Sequence, residues 1–78
     1  MREKTKKLIV TFHTTAAAMA MEKHCAREGI AGRLIPTPRA LSADCGISWC
    51  APVEAREQIE ALLARCIPDT DEVHELLL

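Results

Sequence analysis

The chain is short, nearly neutral and rich in apolar residues. It has 78 residues, of which 49% are hydrophobic, and its 10 basic and 11 acidic residues leave a formal net charge of −1. This balance, with one Trp, one Phe and no Tyr, argues against nucleic-acid binding, which needs basic surface and aromatic stacking platforms. We expect a single domain over residues 1–78, with a core from about residue 7 to residue 77, that buries about 60–65% of its unfolded surface.

The sequence contains no predicted membrane segment or secretory signal. No stretch reaches the roughly 20 apolar residues of a membrane-spanning helix. The basic start from Met1 to Lys7 leads only into a short apolar run, which is too short for a signal peptide. We therefore predict a cytoplasmic protein that does not contact membrane.

The cysteines are predicted to be reduced thiols. They are Cys25, Cys45, Cys50 and Cys66. A disulfide framework is typical of small secreted proteins that have few core residues. This chain has no predicted secretory signal, and its apolar residues are sufficient for a core. No Cys-x-x-Cys or His-x-x-x-His pair occurs, so the spacing also argues against a zinc site. We expect neither a metal nor another cofactor.

The first half of the chain predicts a strand, a helix and a second strand. Leu8–Phe12 is apolar and β-branched, as in a strand. Thr14 or Thr15 is then a candidate cap for a helix that runs to about Glu28 and is followed by a terminating glycine. The apolar stripe of this helix consists of Ala17, Ala18, Met21 and Cys25. The second strand is predicted over Ile30–Pro36.

The second half predicts two more strands around a second helix. Ile47–Ala51 alternates as a strand, with Trp49 as a core residue. Pro52 ends that strand and opens a helix through about Arg65. After a turn at Pro68–Asp69, the last strand is predicted over Val73–Leu77.

The element order β-α-β-β-α-β predicts an α+β fold, the ferredoxin-like split sandwich with two helices on one face of a four-stranded sheet. Parallel first and second strands would put Thr14 and the loop Thr37–Gly46 at the same end of the sheet. The second helix would return Cys66 to that end. Cys25 and Cys50 would lie nearer the opposite end.

The loop is the most informative part of the chain because it combines stiff residues with a thiol. Pro36 and Pro38 fix their own φ angles and favour extended neighbours, whereas Gly46 allows a turn or a close approach. Cys45 would therefore be displayed at a defined point. The alternative is a small buried thiol that fills the loop.

Two motifs in this loop carry a resemblance to a known family. They read Ile35-Pro36-Thr37-Pro38-Arg39 and Ser42-Ala43-Asp44-Cys45-Gly46. The chain resembles the selenium/sulfur (Se/S) carrier protein-like family, whose members carry Ile-Pro-x-Pro-Arg and Ser-x-x-Cys-Gly after a βα unit. The resemblance implies a carrier, rather than a true enzyme, that holds sulfur or selenium on Cys45 as a persulfide or perselenide. It also implies two partners, a donor protein such as a cysteine desulfurase and an acceptor protein.

Charged neighbours affect the predicted reactivity of Cys45 in opposite directions. The amino end of the first helix and Arg39 would favour the thiolate, while the carboxylate of Asp44 would oppose it. Arg33 and Arg39 are predicted to flank the loop, where they either attract an anionic substrate or are simply solvated. His13, at the end of the first strand, is either a proton relay or a plain surface residue.

Other residues have predicted auxiliary or structural roles. Ser42 is expected to hydrogen-bond to the backbone within the loop. An extended strand from Gly46 would hold the Cα atoms of Cys45 and Cys50 about 16 Å apart, too far for the disulfide limit of about 7 Å. Cys50 is then a neutral thiol on the open face of the sheet. Cys66 is expected on an apolar helical stripe, with a possible role because it falls at the Cys45 end.

Two other classes of function remain open. The chain could be a small noncatalytic regulatory domain in which the loop 36–46 binds a ligand or a protein and the thiol is incidental. A thiol redox enzyme is a third possibility. Besides Cys45, the candidate binding residues are Pro36, Pro38, Arg39, Ser42 and Gly46. The reactivity of Cys45 relative to the other cysteines discriminates among these classes, because a carrier needs a partly exposed thiolate.

Overall fold

Four strands and two α-helices make up the part of the chain that the structure describes. The structure is a computed structural model and describes residues 5–41, 46–66 and 70–77. The elements are β1 (Lys6–Phe12), α1 (Thr15–Glu28), β2 (Arg33–Pro36), β3 (Ile47–Pro52), a 3₁₀ turn (Val53–Ala55), α2 (Arg56–Cys66) and β4 (Thr70–Leu77). The sheet order is β2-β3-β1-β4, and all neighbouring strands are antiparallel. The predicted ferredoxin-like α+β fold is confirmed.

Strand β1 lies in the middle of the sheet and is buried on both faces. The helix-facing residues Leu8, Val10 and Phe12 belong to the main core, and Ile9 and Thr11 on the other face are also fully buried. The Thr11 hydroxyl accepts a hydrogen bond from the Glu72 backbone N–H at 3.0 Å and lies 3.2 Å from the Glu72 carbonyl, to which it donates. The hydroxyl therefore has partners in its buried position, as burial of a polar group requires.

Helix α1 begins and ends where its capping residues predict. Thr14 is the N-cap, and Gly29 ends the helix with φ of 71°, a left-handed conformation that glycine adopts without steric cost. The helices cover one face of the sheet. They contribute Ala17, Ala18, Met21, Cys25, Ile59 and Leu62 to a core that also contains Trp49.

Several predicted element boundaries are wrong by a few residues. β1 begins at Lys6 instead of Leu8, because the polar residues at its start still pair with β3 and β4. β2 begins only at Arg33, after Gly32, whose φ of 143° departs from a strand. β3 extends to Pro52, and β4 begins at Thr70 instead of Val73. The predicted turn at Pro68–Asp69 lies outside the described residues.

The entry to α2 also differs from the prediction. The chain makes a 3₁₀ turn over Val53–Ala55 before the α-helix begins at Arg56. Pro52 caps this turn in an extended conformation, without a side-chain hydrogen bond. Short 3₁₀ turns are frequent at helix amino ends, and hydrophobic periodicity does not distinguish them from the first turn of the helix.

Candidate functional site

The strand register brings several candidate residues to one end of the sheet. β1 ends at Phe12, which pairs with Thr70 at the start of β4, while β2 ends at Pro36, opposite Ile47 at the start of β3. The chain enters α1 directly after β1, so the amino end of this helix lies at the same end. This confirms the predicted placement of the helix start and the loop. We call this end of the sheet, with Thr37–Leu41 and Gly46, the loop end.

The loop is closed at its base by hydrogen bonds. The Thr37 N–H donates to the Gly46 carbonyl at 2.9 Å, which extends the β2–β3 hairpin by one residue pair. The side-chain oxygens of Thr37 and Ser48 lie 2.8 Å apart in a second hydrogen bond. Gly46 is therefore held at a fixed register opposite Thr37.

The first part of the loop forms a turn. The Leu41 N–H donates to the Pro38 carbonyl at 3.0 Å, the i to i+3 bond of a β-turn, and Pro38 supplies a fixed φ at its start. Arg39 lies inside this turn and is exposed to solvent. The two prolines and Arg39 are thus at the loop end, as predicted.

Two predicted site residues fall outside the described part of the chain. Ser42 and Cys45 belong to residues 42–45, which the structure does not describe. The role of Cys45 as a carrier and that of Ser42 in the loop stay predictions. The structure describes the residues on either side of this segment, Leu41 and Gly46.

The start of α1 is a second feature of the loop end. The Thr14 hydroxyl accepts from the Ala17 N–H at 3.1 Å, and the Thr14 carbonyl accepts from the Ala18 N–H at 3.3 Å. Thr14 is thus a helix cap, a structural role that accounts for this residue. The aligned peptide dipoles place about half a positive charge at this terminus. His13, immediately before it, is exposed.

The other cysteines occupy different environments. Cys25 is completely buried in the core, as predicted. Burial, with a smaller contribution from the nearby Glu28 carboxylate, raises the pKa of the Cys25 thiol from 9.0 to about 11. Cys66, the last residue of α2, is half-buried against the core. Cys50 is half-buried and opposite Arg33, at the end of the sheet away from the loop, as predicted.

One predicted placement is wrong. Arg33 does not flank the loop, because it is the first residue of β2 and the loop follows the last one. The strand separates Arg33 from Thr37 by four residues, about 13 Å in an extended chain. Of the two arginines that were predicted to flank the loop, only Arg39 lies at the loop end.

An apolar groove lies beside the base of the loop. Its volume is about 320 Å³, and it is lined by Leu34, Ile35, Pro36, Gly46 and Ile47. β2 is an edge strand, so no strand of the described residues pairs with its outer backbone groups. This groove was not predicted, although the apolar run before Pro36 is a sequence signal for it.

A cleft at the opposite end of the sheet was also not predicted. Lys7, Gly32, Arg33, Cys50, Ala51 and Pro52 line a volume of about 380 Å³. Strand alternation alone could not predict this cleft. It puts Cys50 and Arg33 on the same face only when the register between β2 and β3 is known.

The described residues show no site for a metal and no membrane-spanning helix. No group of three or more potential metal ligands occurs among residues 5–41, 46–66 and 70–77. Neither of the helices in this part of the chain is long and apolar enough to cross a membrane.

Comparison with known proteins identifies a family. The model of the family described as "Putative Se/S carrier protein-like" matches residues 7–75, a range that includes every strand and helix apart from the ends of β1 and β4. No curated protein and no solved structure matches the chain.

Proposed function

The chain belongs to the Se/S carrier protein-like family, and on this premise we propose that it carries sulfur or selenium on Cys45. The observation that best supports the proposal is the hydrogen bond between Thr37 and Gly46. Cys45 is bonded to Gly46, so covalent geometry keeps its Cα within about 3.8 Å of the Gly46 Cα. The proposed carrier residue is therefore covalently attached to the hydrogen-bonded end of the β2–β3 hairpin.

The proposed loading step is a redox-neutral exchange. The Cys45 thiolate attacks the terminal sulfur of a persulfide on the donor protein. A new S–S bond forms on Cys45 while the donor's S–S bond breaks, and the donor cysteine leaves as a thiolate. The terminal proton stays on the transferred sulfur, or is lost to water. The selenium reaction follows the same scheme with a perselenide donor, and a second exchange passes the atom to the acceptor.

The electrostatics of the loop end support a reactive thiolate. The amino end of α1 and the exposed Arg39 both bring positive potential to this end of the sheet, which favours a thiolate over a thiol. Asp44, next to Cys45 in sequence, opposes this effect. We propose that Arg39 also attracts the anionic donor persulfide or an acidic surface on a partner protein.

We further propose that a cysteine desulfurase is the donor class and that the transfer takes place in the cytoplasm. A desulfurase displays its persulfide on a protein surface, so the two proteins must dock with their thiols in contact. The apolar groove of Leu34, Pro36 and Ile47 lies at the base of the loop and offers such a docking surface. Its burial on docking would contribute the hydrophobic part of the binding free energy.

The same groove supports a second candidate function. In this alternative the chain is a noncatalytic domain whose loop 36–46 and groove bind a protein segment, and the thiol does not react. The apolar lining and the open edge of β2 suit an added strand. The two functions differ in whether Cys45 becomes covalently loaded.

Intact mass spectrometry tests the carrier proposal. The protein is incubated with a cysteine desulfurase and cysteine, or selenocysteine for the selenium reaction, and its mass is recorded before and after reduction. We expect one reducible sulfur or selenium adduct, located at Cys45 by peptide mapping. Cys45→Ser should abolish it, whereas the matched variants Cys50→Ser and Cys66→Ser should retain it.

Arg39→Ala adds a test of the proposed electrostatics. We expect loading of Cys45 to slow about two- to fivefold, in line with the loss of one screened charge, and the defect to shrink at high salt. Adduct that forms only on Cys25, Cys50 or Cys66 would exclude the carrier role of Cys45. A chain that binds the desulfurase without any adduct would favour the noncatalytic alternative.

A further inference from the structure

We propose that the face of the sheet opposite the helices carries a second thiol site, at which Cys50 forms a mixed disulfide with a small anionic thiol held by Lys7 and Arg33. The site is the cleft of about 380 Å³ that these residues line together with Gly32, Ala51 and Pro52. Its volume lies in the range of small-molecule sites. It is distinct from the loop end, so it does not depend on the proposed carrier function.

Strand pairing puts both cations on the face that Cys50 occupies. Cys50 of β3 is directly opposite Arg33 of β2 on one side and Ile9 of β1 on the other. Directly opposite residues in a sheet share a face, with Cβ atoms about 4.5–5.5 Å apart. Lys7, two residues before Ile9, shares that face too and is the diagonal neighbour of Cys50, at about 7–8 Å.

The two cations are available for a ligand within the described structure. Ion pairs in residues 5–41, 46–66 and 70–77 engage Lys6, Arg56 and Arg65, but not Lys7 or Arg33. Glu72, a described carboxylate on the same face, lies on β4 beyond β1 and is 3.1 Å from His74. The cleft therefore has positive potential, which concentrates anions near the thiol.

The other described cysteines lack this combination. Cys25 is completely buried in the core. Cys66 is half-buried against the core, and its neighbour Arg65 pairs with Glu28 at 2.9 Å. Among these three thiols, Cys50 alone combines partial exposure with two cationic neighbours that have no described ion pair.

The reaction needs an anionic disulfide as co-reactant, and glutathione disulfide is a suitable probe. The Cys50 thiolate attacks one sulfur of the disulfide. The Cys50–glutathione S–S bond forms as the original S–S bond breaks, and one glutathione leaves as a thiolate. Exchange of this kind is reversed by excess thiol. The glutathione carboxylates are the groups that Lys7 and Arg33 would hold.

The test compares two disulfides of opposite charge on the full chain carrying Cys45→Ser, which removes the loop thiol. Glutathione disulfide is anionic and cystamine is cationic, and both transfer a small thiol by the same chemistry. We expect modification of Cys50 by glutathione disulfide to be faster than that of Cys66, and the glutathione-to-cystamine rate ratio to fall at high salt. Rates come from intact mass, and sites from peptide mapping.

Charge variants complete the test. The double variant Lys7→Gln/Arg33→Gln should lower the glutathione-to-cystamine rate ratio at Cys50 by about tenfold. The matched control, Lys23→Gln/Arg27→Gln, removes the same charge from exposed positions of α1 and should leave the ratio unchanged. If the glutathione-to-cystamine rate ratio falls in both double variants, the effect comes from net charge and the proposal is overturned. Preferential modification of Cys66, or an unchanged ratio in the cleft variant, would overturn it as well.

Discussion

Gly32 lies directly against the indole ring of Trp49. A Cβ atom built on Gly32 would be 2.5 Å from Trp49 Nε1 and 2.6 Å from Cε2, far inside van der Waals contact. The φ angle of Gly32 is +143°, a conformation that other residues rarely adopt. The entry to β2 thus depends on a glycine that lets the backbone pack on a core aromatic residue.

Gly32→Ala should therefore destabilise the protein. We expect a loss of about 1–3 kcal/mol in the free energy of unfolding, from overpacking against Trp49 and from backbone strain. Urea denaturation followed by Trp fluorescence measures it. Gly46→Ala is the matched control, since nothing lies within 4 Å of its Cβ position, and it should change stability much less. Equal losses in the two variants would contradict the close packing at Gly32.

The buried Cys25 thiol should make stability depend on pH at the alkaline side. Its pKa is raised from 9.0 to about 11 in the folded protein, so between these values the folded state holds a proton that the unfolded state releases. The stabilising contribution is complete below pH 9.0 and is lost as the pH rises toward about 11.

Urea denaturation across this pH range tests the prediction, with Cys25→Ala as the comparison. The variant should be less stable at neutral pH because it leaves a cavity. The difference in stability between the two proteins should shrink as the pH rises. A difference that stays constant would mean that the Cys25 thiol titrates alike in the folded and unfolded states.

Thr14 should act as a helix cap and not as a reactive group. Thr14→Ala is expected to lower the free energy of unfolding by about 1 kcal/mol, because the Ala17 N–H loses its side-chain acceptor. Thr14→Ser keeps the oxygen and should restore most of the stability. Both variants should still take up sulfur from a cysteine desulfurase. Loss of loading in a folded Thr14→Ser variant would assign the residue a chemical role.

Cys45 and Cys50 should not form an intramolecular disulfide in the folded protein. The hairpin ladder continues from Cys50 to Gly46, and four residues of strand span about 13 Å. One more peptide can bring the Cys45 Cα back by at most about 3.8 Å, which leaves about 9 Å, above the disulfide limit of about 7 Å. Peptide mapping after mild oxidation should find other products. This crosslink in native protein would show that the start of β3 opens.

The fold was predictable from local patterns in the sequence. Alternating apolar residues in β1 and β3, the threonine cap and Gly29 of α1, and the βαββαβ order were sufficient to predict a ferredoxin-like sheet with the loop and the start of α1 at one end. These features depend on interactions close in sequence, so each is visible without the tertiary structure. The paired prolines, Arg39 and the Cys-Gly sequence likewise indicated the family that the match over residues 7–75 confirms.

Strand register and packing, by contrast, depend on contacts between residues that are distant in the sequence. The sequence did not show that Arg33 faces Cys50 and not the loop, because that depends on which residues of β2 and β3 pair. It did not show the contact between Gly32 and Trp49 either, since the two residues are far apart along the chain and meet only across the hairpin. Local sequence patterns specify the elements, their order and the candidate thiols. Long-range pairing determined which charges and apolar surfaces surround the described residues, because a shift of one residue moves each side chain to the other face.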